Sequence, residues 1–141
     1  MNLNQAIEEK TYKSVIRAWT MYDWANSAFA TTIMGAILPV YFSEYIAPEA
    51  SVPIWGSAVA IGSLIAALMS PILGGIADFK ASKKLFLGLF AALGVISTAL
   101  LFFVNGPEHL TFPIVLYILG TIGFSGSLVF YDSPLPPVAQ P

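Results

Sequence analysis

The sequence predicts an all-α protein, a polytopic membrane bundle of four transmembrane helices. Three observations carry that prediction. Four windows contain no Asp, Glu, Lys or Arg: Trp24–Ser43, Ala50–Ala77, Leu85–Pro107 and His109–Tyr131. Crossing a bilayer core takes ~20 apolar residues at about 1.5 Å rise each, and every window is that long. Hydrophobic residues make up 57% of the chain and charged residues 10%; a soluble domain carries roughly 25% charged residues. Mean hydropathy is +0.77. Finally, the basic residues are segregated. Lys10, Lys13 and Arg17 precede the first window, and Lys80, Lys83 and Lys84 lie between the second and third. Segments 44–51 and 105–109 have no Lys or Arg but hold Glu44, Glu49 and Glu108. The positive-inside rule makes the basic side cytoplasmic, so both ends of a four-span chain are expected there.

In chain order, residues 1–17 read as a cytoplasmic arm, with Ile7, Val15 and Ile16 suggesting a surface helix. The transmembrane region is expected over 18–132. Span one is expected over 23–46, with Trp19, Tyr22 and Trp24 at its inner interface and Tyr41 and Tyr45 at its outer one. Aromatic rings collect at such interfaces because one end is apolar and the other wet. Pro39 should bend its outer half. A turn with Pro48 and Pro53 leads to span two over 52–77, in which Pro71 removes a helical hydrogen bond. A short basic turn precedes span three over 85–104. Asn105-Gly106-Pro107 is a strong breaker, and span four covers 110–131. The tail 133–141 holds four prolines and cannot continue a helix.

Helix faces refine this outline. Small residues recur every four positions on span two at Ala58, Gly62, Ala66, Ser70 and Gly74. Such a stripe lets another backbone approach closely, which drives association where lipid offers no hydrophobic gain. Gly120, Gly123 and Ser127 on span four suggest the same, as do Gly88 and Ala92 on span three. Generic packing explains these stripes as well as any transport role does. Span one is different. Asp23, Asn26, Ser27, Ala30 and Thr31 follow i, i+3, i+4, i+7 and i+8, giving a polar face on its inner half. Polar groups avoid lipid, so this face is expected to meet a bundle interior or a water-filled cavity. The competing reading makes Asp23 an interfacial cap, with Asn26 and Ser27 bonding neighbouring helices.

Composition also excludes several classes. A net charge of -2 leaves no basic face for nucleic acid. With no cysteine, thiolate catalysis, disulfides and Cys-ligated metals are excluded. The only histidine, His109, falls on the outer side, opposite Asp23, Asp78 and Asp132, so no Ser/His/Asp set can be assembled. Gly74-Gly75 opens no phosphate loop, because no Gly-Lys-Ser/Thr follows. Neither an enzyme activity nor a cofactor nor a metal is expected, and a cleaved signal peptide is not expected either.

The turn Gly74-Gly75-Ile76-Ala77-Asp78-Phe79-Lys80-Ala81-Ser82-Lys83-Lys84 resembles the loop between helices two and three of major facilitator superfamily transporters. The stretch Trp19-Thr20-Met21-Tyr22-Asp23-Trp24-Ala25-Asn26-Ser27-Ala28-Phe29-Ala30-Thr31-Thr32-Ile33 is more specific. With Ser70-Pro71-Ile72-Leu73-Gly74 and Phe130-Tyr131-Asp132-Ser133, it resembles the unknown-major-facilitator or vacuole-effluxer family, linked to autophagy and amino-acid efflux. The resemblance covers residues 17–139. It implies a secondary transporter of twelve spans working by alternating access, exporting amino acids or similar small solutes and coupled to protons. Four spans would then begin the N-terminal six-helix half, with the C-terminal helices missing and the Pro-rich tail marking a truncation.

Carried over by position, the resemblance makes Asp23, Asn26, Ser27 and Thr31 lining residues of the substrate path. It makes Gly74, Gly75 and Asp78 parts of a cytoplasmic gate, with Lys83, Lys84 and Asp132 as candidates for its charge network. Phe79 and Ala81 depart from the superfamily pattern, which has a basic residue and a glycine there; Pro134-Leu135-Pro136-Pro137 departs from a Leu-Leu-Pro continuation. Partners are expected to be the lipid bilayer, a small solute and protons, and a cell membrane is expected for a prokaryotic source. The alternative is a four-helix scaffold or accessory subunit without transport. A small multidrug-type exporter fits less well, since no charge-free window and no span centre holds the intramembrane Glu such proteins use.

Overall fold

The computed structural model describes residues 3–77, 83–106 and 110–132, and every element among them is helical. Four helical segments are long and apolar enough to cross a membrane: Glu9–Ile46, Ser51–Ala77, Lys83–Phe103 and Thr111–Asp132. The chain divides into two compact units, Met1–Ile37 and Leu38–Pro141.

In the first unit, helix α1 runs Leu3–Ala28 and continues as a π-wound stretch, Phe29–Ile37. The expected arm and the start of span one are therefore one unbroken helix. Two hydroxyls along it are satisfied locally. Thr20 Oγ1 donates to the Ile16 carbonyl at 2.9 Å, and Thr31 Oγ1 to that of Ser27 at 2.8 Å. This back-bonding lets a polar residue enter an apolar span without an orphaned donor. Lys13 Nζ meets Glu9 Oε1 at 2.6 Å one turn away, an exposed pair that adds little.

The second unit opens with α2, Leu38–Tyr41, and a π-wound turn, Phe42–Ile46, closed by the Ala47 N–H donating to the Phe42 carbonyl at 2.9 Å. Then come α3 (Ser51–Ala77), α4 (Lys83–Leu100) ending in a 3-10 turn (Leu101–Phe103), and α5 (Thr111–Asp132). Pro53 and Pro113 lie in the first turns of α3 and α5, where a missing N–H costs nothing. Pro71 leaves α3 continuous. Between α4 and α5, Gly106 takes φ +80°, the left-handed backbone that glycine adopts without strain.

α5 is the central helix, packed against both α3 and α4. Its α4 face is built of glycine. A Cβ on Gly123 would lie 2.5 Å from the Gly94 nitrogen and 2.8 Å from the Phe90 carbonyl oxygen, so the two backbones touch. A Cβ on Gly126 would run into the Phe90 ring, and Ser97 faces Gly120 at 4.0 Å. On the α3 side, a Cβ on Gly62 would lie 3.5 Å from Thr121, ordinary packing distance, and Ala58 is buried. Two of the five residues of the span-two stripe, Ala58 and Gly62, thus pack as expected, while Ser70 stays exposed and Gly74 has open space beside it among the described residues. Span three is a correction. Gly88 and Ala92 are exposed, and the seam uses Phe90, Gly94 and Ser97 instead. Dense glycines on α5 leave room for the Phe90 ring, which turns that face of α4 inward.

Two apolar clusters close the ends of this unit. One joins Phe42, Ile46, Val104 and Leu116 with Trp55 and Ile54; the other joins Leu73, Ala77 and Phe130 with Phe86 and Phe90. The first collects residues from the expected outer ends of all four spans, the second from the expected inner ends of spans two to four. An up-and-down arrangement produces that sorting.

Candidate functional site

The polar face of span one lies in the first unit. Asp23, Asn26 and Ser27 come from the last two turns of α1, and Thr31 from the π-wound stretch that follows. Asp23, Ser27 and Thr31 are exposed and Asn26 half-buried. Only Thr31 has its hydroxyl committed to the backbone, at the Ser27 carbonyl. A carboxylate and a carboxamide one turn apart can accept from an ammonium and donate to a carboxylate, the two ends of a zwitterion.

The gate candidates lie in the second unit, at one end of it. Gly74 and Gly75 sit in the last turn of α3, Lys83 and Lys84 open α4, and Asp132 closes α5. Among the described residues, and outside their own helix turn, no atom lies within 4 Å of the place where a side chain on Gly74 or Gly75 would begin. Asp78, the acidic centre of the resemblance, lies outside the described residues, as do Phe79 and Ala81. Among the described residues no ion pair joins Lys83 or Lys84 to Asp132. Their placement is still informative. A helix N-terminus repels cations and a C-terminus repels anions, by about 0.3–1 kcal/mol each. Lys83 and Lys84 begin a helix and Asp132 ends one. Helix stability does not account for these charges.

Beneath this end lies an aromatic stack the sequence reading passed over. Phe130 is 1% exposed and stacks on Phe86 at 5.2 Å and Phe90 at 6.0 Å, with Leu73 and Ala77 of α3 against it. The Phe130-Tyr131-Asp132 motif thus anchors Asp132 through its buried neighbours. The signal available was Phe86, Phe90 and Phe130, apolar rings near facing helix ends. At the opposite end, Trp55 packs between Phe42 (5.2 Å) and Tyr117 (4.6 Å), and Tyr41 Oη donates to the Val104 carbonyl at 2.9 Å.

Four membrane-length helices among the described residues, the last three seamed by small residues, define a multi-pass membrane protein. Residues 50–141 match the family model described as vacuole effluxer Atg22 like. An uncharacterized MFS-type transporter of Bacillus subtilis (strain 168), YxiO, is 38% identical over 129 residues, covering 88% of this chain. The chain belongs to the vacuole effluxer Atg22-like family of the major facilitator superfamily. It spans 30% of the length of that Bacillus relative. No solved structure matches it.

Proposed function

We propose that this chain supplies the opening helices of a secondary active transporter that exports amino acids or similar small solutes by alternating access, coupled to protons. The observation that carries the reading is the Asp23-Asn26-Ser27-Thr31 face, placed on a membrane-length helix of an effluxer-family chain. Lipid penalises such a face, so it is retained for a solute or water path. Asp78 is the gate carboxylate in this reading, attracted to the positive end of a helix dipole from the partner half and releasing it when the states exchange. Gly74 and Gly75 give that helix a flat surface to approach. Lys83, Lys84 and Asp132 form the surrounding charge network. The N-terminus is cytoplasmic, residues 1–17 form the arm there, and the chain acts by transport, not catalysis. In a prokaryotic cell the membrane is the cell membrane.

The test is counterflow of radiolabelled amino acids in proteoliposomes, using a protein in which this chain is followed by helices like the rest of its Bacillus relative. Asp23→Asn and Asp78→Asn should each cut flux by about ten-fold, the value of one charge-assisted hydrogen bond, with insertion unchanged. Unchanged flux in both would remove the assigned roles. Leu38–Pro141 packing as its own unit favours the alternative of a scaffold or accessory subunit. That alternative is supported if no solute in an amino-acid panel moves.

A further inference from the structure

Span one has an unusual winding. Its helical segment is divided between the two compact units at Ile37 and Leu38, one residue before Pro39. Immediately before that division the backbone is π-wound over Phe29–Ile37, and it is π-wound again over Phe42–Ile46. Proline explains the neighbourhood. It has no N–H to offer the carbonyl four residues back, here Gly35, and its ring crowds that oxygen. A five-residue hydrogen-bond spacing steps past the proline and offers the Gly35 carbonyl to the next donor, Val40. Nine residues of π winding is far more than the single turn usually seen, and α winding is the competing state within reach.

We propose that Phe29–Ile37 is the flexing point of span one, a stretch that exchanges between π and α winding and so lets the part bearing Asp23, Asn26 and Ser27 shift. The outer part is fixed by its own unit. Phe42 and Ile46 are 1% and 2% exposed among Val104 and Leu116, and Tyr41 is tied to the Val104 carbonyl. Changing the hydrogen-bond spacing by one residue turns the helix face by about 100°, enough to swing a polar face toward or away from a path. Gly35 sits inside the stretch. A Cβ there would lie 3.3 Å from the Ala30 carbonyl oxygen, five residues back, a neighbour that α winding carries farther off. Glycine keeps both windings open.

The inference rests on the transport reading only for the purpose of the motion, and its test needs no transport. Hydrogen–deuterium exchange is followed by mass spectrometry on this chain in lipid nanodiscs. Amides of residues 33–38 should exchange at least about five-fold faster than those in the middle of α3, the factor one net backbone hydrogen bond is worth. Pro39→Ala restores the missing donor, and Gly35→Ala disfavours π winding; each should slow exchange in 33–38 by about five-fold and leave α3 unchanged. Both variants raise helix propensity, so loss of folding does not confuse the outcome. Exchange in the wild-type stretch as slow as in α3 overturns the proposal, and so does unchanged exchange in both variants.

Discussion

Gly123 is the residue on which the α4–α5 contact turns. A methyl group there meets the Gly94 and Phe90 backbone at 2.5–2.9 Å, and backbone cannot rotate aside as a side chain can. Gly123→Ala should destabilise the helix pair by about 1–3 kcal/mol, measured by thermal or denaturant unfolding in detergent. Gly88→Ala, with nothing within 4 Å, should be neutral or slightly stabilising, because alanine is the better helix former. Equal effects at the two positions would contradict the assignment of the seam. Tyr41→Phe should cost about 0.5–1.5 kcal/mol by freeing the Val104 carbonyl. The polar face of span one was legible residue by residue, because Asp23, Asn26, Ser27 and Thr31 keep helical spacing in a window where little else is polar. What those groups meet was not legible, since spacing on one helix says nothing of the wall opposite it.

Helices were the most legible level. Windows without charge are unambiguous when they reach bilayer length, and each became a membrane-length helix. Which face of each helix packs was read less well. Gly88 with Ala92 and Gly94 with Ser97 are equally small pairs on different faces of span three, and only the ring of Phe90, fitting against Gly126, decides between them. The π winding was also hidden. Pro39 announces a disturbance in span one, but the chain can answer with a kink, a bulge or a changed winding, and the sequence does not choose. Because Phe90 lies over Gly126, Phe90→Ala should make Gly126→Ala tolerable. A double-mutant cycle on unfolding free energy should show a coupling of about 0.5–3 kcal/mol, and additive effects would remove the claimed contact.

At the scale of the molecule, sidedness is the property most open to direct measurement. The segment Glu9–Ile46 has 38 residues, nearly twice what a bilayer core requires, so part of it must lie outside lipid. The basic residues Lys10, Lys13 and Arg17 mark its beginning as that part. With no native cysteine, Glu49→Cys and Lys84→Cys can be labelled without background. In intact cells an impermeant maleimide should reach position 49 and not position 84; the opposite pattern would invert the topology. The whole-protein mechanism was the least legible level, because a path needs walls from many helices and this chain spans 30% of its relative.

The central place of α5 also sets an order of events at the ribosome. α3 and α4 leave the tunnel first, yet the glycine seam and the Phe130 stack that hold them belong to the helix made after them. Until α5 is released sideways from the insertion machinery, its two elder neighbours keep only the contacts that Trp55 and Val104 make with Tyr41, Phe42 and Ile46. Biogenesis therefore depends on late assembly, and nascent chains stopped before Thr111 should be the ones that quality-control proteases clear fastest.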